Sequence, residues 1–173
     1  MLAALDPMLG FLLQAGKFTR PEIDWHALAP ELTLLAVGAI VAPGHPLASR
    51  RTVSASDCAA YPLVLPDRSW PLRALLDGML AGHGTESTVV TSSNSVEFLR
   101  SMINQQLGVG FQTPMGLERR LASGELVLVP LREQDAIRQR LCIRVRAGER
   151  AEPLERLLVL LQARVAAYAD RWG

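Results

Sequence analysis

The sequence predicts an α/β fold with a largely parallel, twisted sheet. Short apolar runs of strand length alternate with longer stretches of helical periodicity along most of the 173 residues. Hydrophobic residues make up 49% of the chain and charged residues 20%, enough for one domain with a sizeable core or for two small lobes sharing a hinge. Repeated alternation of strands and helices favours parallel pairing with helices covering the sheet.

The predicted strands are short and mostly apolar. A first strand is expected at 9–13, followed by a connection over 14–30 with one helical turn near 24–28, and a buried strand over 32–41. Further strands are expected at 61–65, 88–91, 109–112, 126–131 and 139–146. The last strand alternates apolar residues with arginines, so one of its faces should contact water.

The predicted helices are placed by apolar periodicity and by capping residues. They span 54–60, 70–81, 95–106, 115–122 and 153–171. Ser69 is expected to cap the first long helix, and Leu75 belongs to its apolar face. Asn94 is expected to cap the next helix, where Glu97 completes a capping-box pattern and Leu107 lies on the core side.

The charge balance excludes a free-standing DNA-binding protein. Lys and Arg total 18 against 17 Asp and Glu, so the formal net charge is +1, and no long basic run is present. Affinity for nucleic acid is therefore not expected from this chain itself.

The cysteines and the N-terminal residues point to the cytoplasm. Cys58 and Cys142 are the only thiols and lie far apart, so neither a redox pair nor a set of metal ligands is expected. The apolar start, 1–16, lacks a Lys or Arg and carries Asp6, so a signal peptide is not expected. The longest apolar run, 34–43, is too short to cross a bilayer, and we expect no membrane partner.

No motif anchors a catalytic or cofactor assignment. HExxH, GxSxG and P-loop patterns are absent from the sequence. The 108–110 segment, Gly-Val-Gly, follows a helix and enters a strand. A phosphate-binding loop has the opposite order, because it follows a strand and opens a helix. His45, between Gly44 and Pro46, is interpreted as a turn residue. We therefore predict no catalytic residue, no metal and no cofactor.

Polar residues follow three of the predicted strands at their carboxyl ends, where open α/β sheets bind ligands. The segments are 67–70, 92–95 and 112–114, and two of them open directly into helices, whose N–H groups favour an anion such as a carboxylate. The candidate ligand-binding residues are Ser69, Trp70, Ser93, Asn94, Gln112 and Thr113. The alternative is that Ser69 and Asn94 only cap helices and that Trp70 only covers core.

Three segments, taken in order, resemble a known family. They are Ala-Pro-Gly-His-Pro-Leu-Ala at 42–48, Tyr-Pro-Leu-Val-Leu-Pro at 61–66 and Gly-Val-Gly-Phe-Gln-Thr-Pro at 108–114. Their order and spacing resemble the effector-binding region of LysR-type transcriptional regulators, from about Leu32 to the end. The resemblance implies a type 2 periplasmic-binding-protein-like, doubly wound fold with two lobes. It also implies a bacterial regulator that binds a small metabolite between those lobes.

The resemblance also sets the expected domains and partners. It implies that 18–131 is a complete second lobe and that 1–17 with 132–173 is a truncated first lobe. The family's N-terminal winged helix-turn-helix and the start of the first lobe have no counterpart in the sequence, so DNA contact is expected only through that absent domain. Pairing into a homodimer is a further expectation from the family.

Two other classes of protein stay open. A stand-alone solute-binding protein shares the implied fold, although the lack of an export signal counts against it. A small α/β enzyme is the second alternative, and turnover of a bound metabolite would favour it. The leading hypothesis is an effector-sensing domain that performs no chemistry on its ligand.

Overall fold

The computed structural model describes residues 25–82, 87–146 and 152–172. The strand predicted at 9–13 and most of the connection predicted at 14–30 lie outside the described residues. The chain divides into two compact units, one formed by Met1–Leu35 with Arg138–Gly173 and the other by Ala36–Ile137. The lobe limits expected from the sequence, 1–17 with 132–173 and 18–131, stay a prediction.

Strands and helices alternate along the described chain. The strands are β1 (Trp25–Ala36), β2 (Gly38–Val41), β3 (Leu63–Pro66), β4 (Val89–Ser93), β5 (Gly110–Gln112), β6 (Val127–Pro130) and β7 (Arg138–Arg146). The α-helices are α1 (Ala55–Ala59), α2 (Pro71–Ala81), α3 (Val96–Asn104), α4 (Glu118–Ala122) and α5 (Glu152–Trp172). Short 3-10 helices occur at Pro46–Ser49 and Glu133–Asp135.

The 36–137 unit contains a mixed sheet. β3 pairs with β4 in parallel, and a parallel bridge from Leu63 to Val109 joins β3 to the residue before β5. β2 pairs antiparallel with both β5 and β6, which gives the spatial order β4, β3, β5, β2, β6. Four strands therefore run in one direction, as the predicted parallel sheet requires, and β2 runs against them.

The core lies on both faces of this sheet. Adjacent residues of β3 belong to different apolar clusters, Leu63 and Leu65 to one and Val64 to the other. Because successive strand side chains point to opposite faces, the two clusters lie on opposite sides of the sheet. Leu76 of α2 belongs to the first cluster and Ile103 of α3 to the second. Helices thus cover both faces, which is the doubly wound arrangement.

The two long helices of this unit begin later than the sequence predicts. Trp70 is the N-cap of α2 and makes no side-chain capping hydrogen bond, so the prediction that Ser69 caps this helix is wrong. Ser95, not Asn94, caps α3, since the Ser95 hydroxyl accepts from the N–H of Phe98 at 3.3 Å. Short polar side chains such as Ser and Asn can each form a capping hydrogen bond, so sequence alone does not decide which of two neighbours caps the helix.

Three further predictions, on two element boundaries and on the burial of two leucines, differ from the structure. A helical turn is predicted near 24–28, but within the described residues 25–28 belong to β1. The strand predicted over 32–41 is broken at Val37, whose N–H donates to the carbonyl of Ile137 at 2.9 Å. Leu75 and Leu107, both predicted in the core, are 48% and 43% exposed.

The other unit contains β1, β7 and α5. β1 and β7 form a two-stranded sheet. In α5, Val165 is buried, whereas Leu157 and Leu160 are exposed.

Candidate functional site

The carboxyl ends of β3 and β4 lie side by side. Pro66, the last residue of β3, is the register partner of Ser93, the last residue of β4. One residue further on, the N–H of Asp67 donates to the carbonyl oxygen of Ser93 at 3.0 Å. This hydrogen bond brings the two predicted polar loops together at one edge of the sheet.

The end of β5 lies at the same edge, on the other side of β3. The Leu63–Val109 bridge is parallel, and the N–H of Val64 donates to the Val109 carbonyl at 2.9 Å. Because parallel strands advance together, continuing this register places Gln112 beside Pro66. The three predicted polar segments therefore follow neighbouring strand ends.

The loop after β3 is closed by Asp67. Its carboxylate Oδ1 accepts from the N–H of Ser69 at 2.7 Å, and its carbonyl accepts from the N–H of Trp70 at 3.1 Å. This local Asx-type turn delivers the chain into α2. The side chains of Ser69 and Trp70 are both partly exposed at the start of that helix.

The loop after β4 is organised by hydroxyl groups. The Oγ of Ser93 accepts from the N–H of Ser95 at 3.1 Å, and Ser95 in turn caps α3. Asn94 lies between them and is exposed. Asn94 is thus free of the capping role predicted for it and faces solvent at the amino end of α3.

Gln112 and Thr113 are buried at the end of β5, with only 6% and 2% of their surfaces exposed. The Oε1 of Gln112 accepts from Nε of Arg100 at 3.2 Å. Within the described part of the chain, the Nε2 of Gln112 is buried and has no hydrogen-bond partner.

Arg100 connects this site to a chain of charges. Its Nη1 donates to Glu97 at 2.7 Å, and the other oxygen of Glu97 accepts from Arg120 at 2.6 Å. Arg120 also pairs with Glu125. Gly116 has a φ of +78°, and a Cβ there would lie 3.4 Å from Nη2 of Arg100, so the turn passes close to the guanidinium.

Two buried arginines were missed by the sequence analysis. Arg73 donates from Nη1 to the Pro66 carbonyl at 2.9 Å, and Arg100 reaches Gln112, so each is tied to a strand end. Helical spacing carried the signal, since Arg73 lies three residues before Leu76 and Arg100 three before Ile103. Arginine side chains are usually exposed, but this spacing aligns both residues with the buried faces of their helices.

The shifted pKa values belong to groups outside these loops. Burial, reinforced by the negative charges of Asp57 and Asp135, raises the pKa of the Cys58 thiol to about 12. That thiol is protonated at neutral pH and is a poor nucleophile. Hydrogen bonds from Ser54 lower the pKa of Asp57, and partial burial lowers that of His45.

The described residues contain neither a metal-binding cluster nor a membrane-spanning helix. Among residues 25–82, 87–146 and 152–172, no three His, Cys, Asp or Glu side chains group so as to hold a metal ion. None of the helices in that part of the chain has the length and apolarity needed to span a membrane.

The family assignment follows from a comparison of the whole chain with family models. The model described as the LysR substrate binding domain matches residues 9–166. The chain belongs to this family. LysR proteins are a family of transcriptional regulators rather than of enzymes, and the strand ends described above lie within the matched range. No curated protein gives a match.

Solved LysR structures share the fold. HinK from Pseudomonas aeruginosa is 20% identical, with a TM-score of 0.68 over 86% of this chain and 50% of its own. Another P. aeruginosa protein assigned to the LysR family is 21% identical, with a TM-score of 0.65 over 83% of this chain and 48% of its own. This LysR-type effector-binding domain therefore spans about half the length of both proteins.

The regulatory domain of Synechocystis CcmR, solved in complex with 2-PG, gives a TM-score of 0.66 at 16% identity. The match covers 91% of this chain and 78% of that domain. The fold expected from the sequence, an α/β fold of the type 2 periplasmic-binding-protein kind, is confirmed by these similarities.

Proposed function

We propose that this chain is the effector-sensing domain of a LysR-type bacterial transcriptional regulator and that a small polar metabolite binds at the carboxyl ends of β3, β4 and β5. The observation that carries the proposal is the hydrogen bond from Asp67 to Ser93, because it joins two polar loops beside a third strand end. Open α/β sheets take ligands at this position. The proposed contacts are Ser69, Trp70, Ser93, Asn94, Gln112 and Thr113.

A small carboxylate is the proposed class of ligand. The first N–H groups of α3 and the two buried arginines, Arg73 and Arg100, favour negative charge near the strand ends. The effector-binding domain of QuiR, which has a similar fold, was solved with shikimate, a small carboxylate, and this supports the proposed class. Trp70, at the start of α2, would cover an apolar part of the ligand.

Ligand binding would regulate transcription by shifting a conformational equilibrium. A metabolite that binds two states of the domain with different affinities changes their populations. The regulator's DNA contact would come from a helix-turn-helix domain, since this domain has a net charge of only +1. A regulator of this kind works in the cytoplasm and releases its ligand unchanged.

Isothermal titration calorimetry with shikimate and a panel of related small carboxylates tests this proposal. For any compound that binds, Thr113→Val should weaken binding by about 1–3 kcal/mol, because it removes a buried hydroxyl while preserving shape. Thr52→Val, at an exposed position outside the proposed site, is the matched control. Equal affinities for the two variants and the parent would contradict the proposed site.

Homodimer formation is the proposed assembly. β4 is the last strand of its sheet in the described chain, and its Val89 and Val90 are 41% and 48% exposed. An apolar strand with an open edge is a surface suited to pairing. Sedimentation equilibrium should show a dimer that Val90→Lys dissociates and that Ala122→Lys, an exposed change on α4, leaves intact.

A further inference from the structure

The amide of Gln112 has one partnered atom and one unpartnered atom. Its Oε1 accepts from Arg100, whereas its Nε2 is buried without a hydrogen-bond partner in the described residues. A buried donor without an acceptor is costly and uncommon, and a bound water or ligand is its usual explanation.

Arg100 determines which way this amide faces. A guanidinium carries only N–H donors, so it pairs with the amide oxygen and repels the amide NH₂ group. Arg100 is itself held, because Glu97 accepts from its Nη1 at 2.7 Å and Gly116 lies against its Nη2. The amide of Gln112 is therefore fixed with its NH₂ donor directed away from Arg100.

The charges around these residues are arranged asymmetrically. The side chains of Arg100 and Arg73 are 10% and 11% exposed, whereas their carboxylate partners Glu97 and Asp77 are 64% and 46% exposed. Water screens the carboxylates more than the guanidinium groups. The interior at the strand ends is therefore more favourable to an anion than the net charge of the chain implies.

We infer that Arg100 is a positioning residue, which holds the Nε2 donor of Gln112 ready for an oxygen of the bound ligand. The site would then take a carboxylate in preference to an ammonium group, because an ammonium offers only donors and leaves Nε2 unpaired. This inference rests on the proposed function and adds the residue that selects the ligand's chemical class.

Nuclear magnetic resonance of the ¹⁵N-labelled chain tests the inference with two simple probes, sodium acetate and methylammonium chloride. Acetate should shift the side-chain NH₂ signals of Gln112 saturably, and methylammonium should not. If a buried water is the partner of Nε2, neither probe will give a saturable shift. That result, or equal shifts with both probes, would overturn the inference.

Two variants separate the donor from the residue that orients it. Gln112→Glu keeps an oxygen for Arg100 but replaces the ligand-side donor by an acceptor. The affinity for acetate, now measured from the backbone amide shift of Thr113, should therefore fall by about tenfold or more. Arg100→Met frees the amide to turn, so the preference for acetate over methylammonium should shrink, and Arg100→Lys should restore part of it.

Folding must be checked by thermal melts, since Arg100 is buried. If Arg100→Met does not fold, Gln112→Glu and Arg100→Lys still decide the matter. Unchanged acetate affinity in Gln112→Glu would overturn the inference. If shikimate or another panel compound still bound in a Thr113-dependent way, the proposed function would survive that failure. If no small molecule shifted any signal at the strand ends, both the inference and the proposed function would be contradicted.

Discussion

The Oδ2 of Asp135 accepts a hydrogen bond from the backbone N–H of Ala55 at 3.0 Å, although the two residues are 80 positions apart. Asp135 is buried, and Ala55 is the first residue of α1. A carboxylate at this point satisfies an otherwise unpaired helix N–H. The contact ties the segment after β6 to the start of α1.

Asp135→Ala should therefore destabilise the protein by about 1–3 kcal/mol, because it leaves a buried N–H unpaired. Chemical denaturation measures the change. Gln134→Ala, at the exposed position immediately before Asp135, is the control and should change the free energy of unfolding by at most about 0.5 kcal/mol. Equal effects of the two substitutions would contradict the role given to Asp135.

Gly108 is required by a close approach of two backbones. A Cβ there would lie 3.0 Å from the carbonyl carbon of Pro62 and closer still to its oxygen, which accepts from Val109 at 2.8 Å. Gly108→Ala should destabilise by about 1–3 kcal/mol. Gly78→Ala, in α2 with open space around its Cα, should instead stabilise by about 0.5–1 kcal/mol. Melting temperatures that move together for the two variants would refute this account.

Ser95 rather than Asn94 should carry the capping energy of α3. Ser95→Ala removes the hydroxyl that accepts from Phe98, so the free energy of unfolding should fall by about 1 kcal/mol. Asn94→Ala should leave stability nearly unchanged and should weaken ligand binding, because Asn94 is one of the proposed contacts. Thermal melts and calorimetry on both variants give the comparison, and a larger loss of stability in Asn94→Ala would reverse the assignment.

His45 should make stability depend on pH. Its Nδ1 accepts from the N–H of Leu47 at 3.2 Å, and partial burial lowers its pKa below 6.5. As the pH falls, the unfolded chain therefore takes up the proton before the folded chain does. The stability that neutral His45 contributes is fully present above pH 6.5 and is lost as the pH falls through the lowered pKa of the folded protein.

The His45→Asn variant isolates this effect, because Asn keeps a capping oxygen without titrating. Unfolding free energies measured between about pH 5 and pH 8 should fall more steeply on acidification in the parent than in the variant. Parallel curves for the two proteins would show that His45 contributes nothing to the pH dependence.

Local patterns predicted most of the elements but not their partners. The apolar runs and periodicities placed β3 to β6 and α2 to α5 within a few residues, since these signals depend on neighbours in sequence. The direction of β2 depends on pairing between Gly38 and Gln112, which are far apart in the chain. Periodicity alone cannot supply such a pairing.

The sequence predicted where the candidate site lies in the fold but not the buried hydrogen bonds that hold its residues. The rule that ligands bind at strand ends selected Gln112 and Ser93, and the parallel register places them at one edge of the sheet. Arg100, the partner of Gln112, is not among the predicted site residues, and an arginine in a helix is usually solvent-exposed. Its burial depends on Gln112 and Glu97 providing acceptors, which only the folded chain reveals.

Backbone amide shifts, mapped during a titration with the tightest-binding carboxylate of the panel, would locate the ligand on the domain. The largest saturable shifts should occur at Ser69, Ser93, Gln112 and Thr113, with smaller ones along α3. Largest shifts in α5, or no saturable shift with any panel compound, would contradict the claim that this domain senses a small carboxylate at its strand ends.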